Sequence, residues 1–135
     1  MILSYASQQD IDEMSGKDTG RVTWSQEDMA AMHQFMSTVN KELEESGELV
    51  ETRALAAPVH TRRMGSRDGV PFVTDGPYAE TQEVLAGYWI VECESFDRAT
   101  EIAARLGQCP FPGEVMANAY ADIRPVVESA EDLGF

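Results

Sequence analysis

The stretch GSRDGVPFVTDGPYAET, residues 65–81, contains two Asp-Gly pairs in quick succession. The first pair, Asp68-Gly69, lies between two segments rich in strand-forming residues, and Asp-Gly is a preferred sequence for the two-residue type I′ turn. We therefore predict a β-hairpin with strands over residues 59–67 and 70–74.

The second pair, Asp75-Gly76, is followed by a proline and does not suit the same turn. Pro77 has no backbone N–H to donate into a hairpin ladder, and its ring fixes one backbone dihedral angle. Gly76 can adopt conformations that other residues avoid, and Asp75 can accept from backbone N–H groups in an Asx-turn. We predict a stiff corner that shapes a binding site.

The residues that follow the corner predict a short helical turn over residues 82–87, capped by Glu80 or Thr81. The corner itself would present an aromatic ring and a rigid backbone to a ligand. Our candidates for this contact are Gly76, Pro77 and Tyr78.

Two helices are predicted from apolar side chains that recur at intervals of three and four residues. The stripe of the first helix consists of Met29, Met32, Met36, Val39 and Leu43. Ser25 and Asp28 have the spacing of a capping box at its start. The second helix is predicted over residues 96–106, with Ser95 as its cap.

Six strands are predicted from alternating polar and apolar residues and from β-branched or aromatic content. They cover residues 1–7, 48–56, 59–67, 70–74, 87–94 and 115–125. Residues 7–23 are polar and contain glycines, and we predict a loop there that could act as a lid. The order, two βαβ units flanking a hairpin, predicts one domain over residues 1–135 with a ferredoxin-like α+β sandwich.

A sandwich with both helices on one side leaves the other face of the sheet bare. The last predicted strand would turn Ala117, Ala119, Ala121 and Ile123 toward the helices and Met116, Asn118, Tyr120, Asp122 and Arg124 away from them. If the strand phases hold, the bare face is lined by Tyr5, Tyr88, Tyr120 and Arg124. Arg124 could bind a ligand carboxylate. A face of this mixed character suits a subunit interface or a ligand cleft, and we expect both.

Three residues near the corner are candidates for acid–base catalysis. Asp75 and Glu80 could serve as acid and base if their environments separated their pKa values. His60 beside Asp75 would form a general-base dyad. Each has a plainer alternative: Asp75 as a turn residue, Glu80 as a cap or surface charge, and His60 as a partly exposed structural histidine. We predict no metal site, because the two histidines lack a metal-binding spacing, and no motif indicates a cofactor.

The acidic net charge of the chain argues against two classes of partner. The formal net charge of −14 would repel nucleic acid and anionic membrane surfaces. One predicted strand contains a basic cluster, Arg62, Arg63 and Arg67. The cluster is either the solvated edge of a sheet or an anion-binding patch. The start of the sequence does not resemble a secretory leader, so we expect a cytoplasmic protein with Cys93 and Cys109 reduced.

The stretch VTDGPYAETQEVLAGYWIVECES, residues 73–95, resembles the signature of the DGPF proteins, a branch of the YCII-related family. The segments MILSYAS at residues 1–7, ESGELVETRALAAP at residues 45–58 and IRPV at residues 123–126 follow in the family's order. This resemblance implies a ferredoxin-like fold that pairs as a dimeric α+β barrel.

Two residues depart from the family pattern, because Tyr78 replaces a phenylalanine and Gln82 stands where many relatives have lysine. Some relatives resemble small-molecule enzymes with a His and Asp pair, and others are encoded beside, or fused to, sigma factors. The residues and the resemblance together leave two hypotheses. One is a homodimer that binds a small, partly apolar acidic or aromatic molecule at the sheet face, in a cleft by the dimer interface, where Asp75 and His60 could perform acid–base catalysis without a cofactor. The other is a non-catalytic regulatory module linked to transcription.

Overall fold

The computed structural model describes residues 1–114 and 116–135. Its main sheet contains β1 (Ile2–Ala6), β2 (Leu49–Ala54), β5 (Val84–Val91) and β6 (Ala121–Ile123). These strands pair antiparallel in the order β2-β5-β1-β6. A separate two-stranded sheet consists of β3 (Arg62–Arg67) and β4 (Val70–Asp75).

Three α-helices accompany the sheets in the described residues: α1 (Gln8–Met14), α2 (Gln26–Glu45) and α3 (Phe96–Leu106). The capping box predicted at Ser25 is confirmed, since its hydroxyl accepts from the backbone N–H of Asp28. None of these helices combines the length and the apolar character that crossing a bilayer requires.

The core lies between the main sheet and helices α2 and α3. Across the sheet, Trp89 pairs with Ile2, and Ile2 pairs with Ile123. The cluster around this row contains Ile2, Val39, Leu43, Ile102 and Leu106. Full burial of one such side chain stabilises the fold by about 1.5–3 kcal/mol. The predicted α+β class is therefore confirmed, with both long helices packed on one face of the sheet.

The predicted hairpin is also confirmed. Asp68 and Gly69 both have positive φ, 51° and 78°, as the type I′ turn requires. The strand that enters the hairpin is shorter than predicted, because Pro58–His60 forms a single 3-10 turn and β3 begins after it.

Three sequence predictions are wrong. The predicted loop over residues 7–23 contains helix α1, whose capping box joins Ser7 to Asp10. The predicted helical turn over residues 82–87 is largely strand, because β5 begins at Val84 and pairs with β1 from there. Pairing across the sheet satisfies these backbone groups better than an isolated turn would.

The third error concerns the predicted strand over residues 115–125. Only β6 is strand there; residues 116–118 form a turn, and Val115 lies outside the described residues. Ala117, Ala119 and Ala121 are exposed and do not pack on the helices, whereas Ile123 packs against the core as predicted. The alanines at alternate positions lie mostly in a turn-rich connection, and the rule that successive side chains point to opposite faces applies only to strands.

Candidate functional site

The sheet face opposite the helices carries a second row of paired residues. Tyr88 pairs with Leu3 on one side and with Arg53 on the other, and Leu3 pairs with Asp122. Directly paired residues share a face of the sheet, and successive residues of a strand point to opposite faces. Leu3, Tyr88 and Asp122 are each next in sequence to a residue of the core row, so this row lies on the face opposite the core. No helix of the described chain covers it. The predicted bare face, hereafter the open face, is thus present in the structure.

Two tyrosines on the open face donate hydrogen bonds to carboxylates. The Tyr5 hydroxyl donates to Asp122 Oδ2 at 2.7 Å, and the Tyr88 hydroxyl donates to Glu51 Oε2 at 3.0 Å. These bonds stabilise the protonated phenols and are the main cause that raises the pKa of each tyrosine. Both tyrosines therefore stay neutral and face the solvent as hydrogen-bonded aromatic groups.

The other two residues predicted for this face lie at its edge. The Tyr120 ring is tilted against that of Tyr5, with centroids 5.4 Å apart. Arg124 follows β6, and its backbone N–H donates to the carbonyl oxygen of Met1. The Arg124 charge is close enough to Tyr5 to oppose part of the rise in the tyrosine pKa.

A cleft of about 320 Å³ lies at the end of the main sheet, between the connection that leads from β2 into the hairpin and the start of β5. We call it the hairpin cleft. Its walls include Leu55, Pro58, His60, Tyr78 and Leu85. The structure thus brings His60 and Tyr78, two residues predicted from the sequence, into one depression.

A second cleft, of about 250 Å³, lies beside α1. We call it the α1 cleft. Its walls include Tyr5, Asp10, Arg21, Glu83 and Tyr120. Leu85 of the hairpin cleft pairs with Tyr5 of the α1 cleft, so the two clefts adjoin at the end of the sheet.

The Asp-Gly-Pro corner is held by the start of the hairpin. Gly76 has a φ of 56° and donates its N–H to the carbonyl oxygen of Thr61 at 2.8 Å. The Asp75 carboxylate accepts from Arg62 Nε at 3.0 Å, and both side chains are about three-quarters exposed. Asp75 is therefore engaged by an arginine, whereas the predicted Asx-turn would have engaged a backbone N–H.

The residues after Gly76 attach the corner to the rest of the fold. Pro77 and Tyr78 are half-buried, and the Arg63 guanidinium lies over the Tyr78 ring at 5.1 Å from its centroid. Glu80 is exposed, and its carbonyl oxygen accepts from the N–H of Gln9 at 3.0 Å. This bond joins the corner to α1.

The predicted catalytic residues are neighbours along the hairpin and corner but do not form a bonded group. No hydrogen bond or ion pair links His60, Asp75 and Glu80 to one another in the described part of the chain. Of the three, His60 alone lines a cleft wall. Arg62 bonds only Oδ1 of Asp75, so a proton relay would have to reach the other carboxylate oxygen, Oδ2.

The family model for the YCII-related domain matches residues 1–128. The chain belongs to the YCII-related family. An uncharacterized protein of Rhizobium meliloti (strain 1021) is 29% identical over 103 residues, which cover 76% of this chain and 83% of that protein.

In this YCII-related chain, Asp10 and Arg21 of the α1 cleft belong to a charged cluster that the sequence analysis missed, together with the buried Glu13. Glu13 is 1% exposed and is paired with Arg21, whose Nε lies 2.6 Å from Glu13 Oε1; Thr19 also donates to this carboxylate. Arg21 bonds Asp10 as well. Burial would raise the pKa of Asp10, but bonds from Ser7 and Arg21 outweigh it and lower the pKa.

A signal for this cluster was present in the sequence. Ser7 and Asp10 have the same spacing as Ser25 and Asp28, so the capping-box rule that located α2 would also have located α1. The partner of Glu13 could not be found in this way, because Arg21 lies in an irregular segment after the helix.

Proposed function

We propose that this YCII-related protein is a homodimer that binds a small, partly apolar acidic or aromatic molecule in the hairpin cleft. The observation that carries the proposal is the composition of that cleft, in which His60 and Tyr78 share a depression with apolar walls. Small-molecule sites typically combine an apolar lining with a few placed polar groups.

Local charge favours a ligand with a carboxylate. The chain as a whole is strongly acidic, yet residues 52–67 contain four arginines and no acidic residue. This segment runs from the end of β2 through the walls of the hairpin cleft into β3. Arg53 and Arg62 of this segment are paired with Glu51 and Asp75, so Arg63 and Arg67 are the charges that favour an anion near the cleft. His60 supplies a hydrogen-bond donor at the cleft wall.

The open face is the proposed subunit interface. Leu3, Tyr88 and Ile90 are half-buried in the single chain and complete their burial when a second sheet packs on them. In the ferredoxin-like arrangement inferred from the sequence, helices bury one face of the sheet. Pairing of two subunits through the other face is the simplest way to bury that face as well.

Binding is the function that the geometry supports best, and acid–base catalysis stays a prediction. In this prediction His60 exchanges the proton with the ligand, and Asp75 orients the His60 imidazole through the carboxylate oxygen that does not bond Arg62. Glu80 is the weakest of the three candidates because its carboxylate lies outside both clefts.

The test measures binding of benzoate, with benzyl alcohol as the uncharged comparison. We expect the dimer to bind benzoate more tightly than benzyl alcohol, and His60→Ala to weaken benzoate binding by about tenfold, the effect of one lost polar contact. His33→Ala is the matched control, since His33 is exposed on α2 away from the cleft.

Equal binding in His60→Ala and His33→Ala would place the ligand elsewhere. A dimer that binds neither compound and carries no small molecule in native mass spectrometry would favour the non-catalytic interaction module instead. A monomer would contradict the interface part of the proposal.

A further inference from the structure

The hairpin formed by β3 and β4 presents uncovered apolar side chains. In the described residues its two strands pair with each other and with no strand of the main sheet. Met64 is 72% exposed, its register partner Val73 is 54% exposed, and Val70 near the turn is 64% exposed. Isolated two-stranded ribbons are only marginally stable in water, so a covering surface would stabilise this one.

The charge of the hairpin is opposite to that of the chain as a whole. Arg62, Arg63 and Arg67 on β3 outnumber Asp68 and Asp75, so residues 62–75 have a formal charge of +1 in a chain whose formal net charge is −14. Arg62 is paired with Asp75, so Arg63 and Arg67 are the charges that the hairpin offers to a partner. A second copy of the chain is therefore an electrostatically favourable partner for the hairpin, provided that one of its acidic surfaces can reach it.

Residues 126–135, hereafter the acidic segment, have the complementary character. They contain three acidic residues, Glu128, Glu131 and Asp132, and no basic residue. Val126 and Leu133 are 56% and 57% exposed. The hydrogen bonds that the structure gives this segment stay within it. Like the hairpin, it offers apolar side chains beside charges.

The sheet places these two surfaces at opposite ends of one subunit. β1 and β2 both run antiparallel to β5, so β2 ends at the same end of the sheet as the start of β5, and the hairpin begins there. β6 runs antiparallel to β1 and finishes at the other end, where Ile123 pairs with Ile2. The acidic segment therefore starts at the end of the sheet that lies away from the hairpin.

We propose that in the homodimer the acidic segment of each copy docks on the hairpin of the other. The inference rests on the proposed pairing through the open face. When two such sheets pack with their strands antiparallel about a twofold axis, the hairpin end of one copy meets the acidic-segment end of its partner. The contact is then made twice, as a twofold interface requires.

A charge exchange tests this contact. Arg67→Glu makes the hairpin repel the acidic segment, and Glu128→Arg/Glu131→Arg makes the segment repel the hairpin. Each variant alone forms two like-charge contacts per homodimer. A mixed dimer of the two variants restores opposite charges at both contacts. The two unaltered surfaces meet at one contact, and the altered hairpin meets the altered segment at the other.

We expect each variant to dimerise at least about tenfold more weakly than the wild type, and the mixture to form mainly the mixed dimer in native mass spectrometry. Lys41→Glu and Glu44→Arg/Glu45→Arg are controls with the same charge changes on α2. Their mixture should give the statistical ratio of dimers.

Statistical mixing of the Arg67 and Glu128/Glu131 variants, with dimers as tight as the wild type, would overturn the docking proposal and leave dimerisation and ligand binding intact. A wild-type monomer that binds benzoate would overturn both the docking and the interface but not the ligand site.

Discussion

Tyr5 and Leu85 are register partners on β1 and β5, and each lines a different cleft. The pairing register shifts between Ser4 and Tyr5, at the point where the two clefts adjoin. Such irregularities bend a strand and re-aim its side chains. The end of the sheet thus presents two depressions side by side, one beside the hairpin and one beside α1.

The Gly76 backbone is held in a left-handed conformation, with φ of 56°. We expect Gly76→Ala to lower the free energy of unfolding by about 1 kcal/mol, because an added Cβ is strained there. The nearest atom to that Cβ, the Val59 carbonyl oxygen, lies at 3.7 Å, so backbone strain and not a clash decides the result. Gly76→Asn should cost less, since asparagine tolerates this region better. Urea denaturation measures both variants, and an equal loss of unfolding free energy in Gly76→Ala and Gly76→Asn would contradict this explanation.

Asp75 can be tested for a structural or a ligand-related role. Its ion pair with Arg62 is exposed, so Asp75→Asn should change stability by less than about 1 kcal/mol. Asp68→Asn, in the turn of the same hairpin, controls for the change in charge. Weaker benzoate binding by Asp75→Asn alone would assign it a role at the ligand, whereas a melting temperature several degrees lower would make it a structural residue.

The buried Glu13 carboxylate depends on Arg21. We expect Arg21→Ala to lower the free energy of unfolding by about 2 kcal/mol, because Glu13 loses its charged partner while it remains buried. Adding Glu13→Gln should restore part of the loss, since a neutral amide is less costly to bury. Lys17→Ala removes an exposed ion pair nearby and should have little effect. No recovery in the double variant would show that Arg21 stabilises the fold in another way.

The lowered pKa of Glu48 makes the stability of the fold depend on pH in the acidic range. Two hydrogen bonds from Arg98 are the main cause that lowers the Glu48 pKa from 4.5 to about 2. A depressed folded-state pKa contributes stability above the ordinary pKa, and this contribution is lost as the pH falls from about 4.5 to about 2. Glu48→Gln should therefore show a shallower fall in melting temperature over that range. Glu101→Gln, which alters a more exposed partner of Arg98, should keep the wild-type slope.

Gly87 sits where the sheet leaves no room for a side chain. A Cβ there would lie 2.9 Å from the Arg53 carbonyl oxygen on β2, which is backbone and cannot turn aside. We expect Gly87→Ala to destabilise the protein by about 1–3 kcal/mol. Gly107→Ala, where the nearest contact is 3.4 Å and φ is −65°, should stay within about 0.5 kcal/mol of the wild type. Equal stability of the two variants would show that β2 moves to accept the methyl group.

Local rules located the elements with strong signals. The hairpin turn at Asp68-Gly69, the Ser25 capping box and the two long helices all follow from residues adjacent in sequence, and the structure confirms them. Helix α1 was not predicted, because the polar, glycine-containing composition of residues 7–23 favours a loop, although Ser7 and Asp10 carry the same capping signal as Ser25 and Asp28.

Positions that depend on register were less predictable. Residues 116–118 alternate in character like a strand but form a turn, and residues 84–87 look like a turn but complete β5. Pairing with a distant strand decides such cases, and a short window of sequence contains no information about that partner.

By itself the sequence determined the family, the α+β class, the hairpin and the acidic character of the chain. These depend on residue identity and on spacings of a few residues. Tertiary structure alone decided that His60 and Tyr78 share a cleft, that Asp75 pairs with Arg62, and that a buried Glu13 meets Arg21. The reason is physical: such contacts join segments that only the folded sheet and its connections bring together.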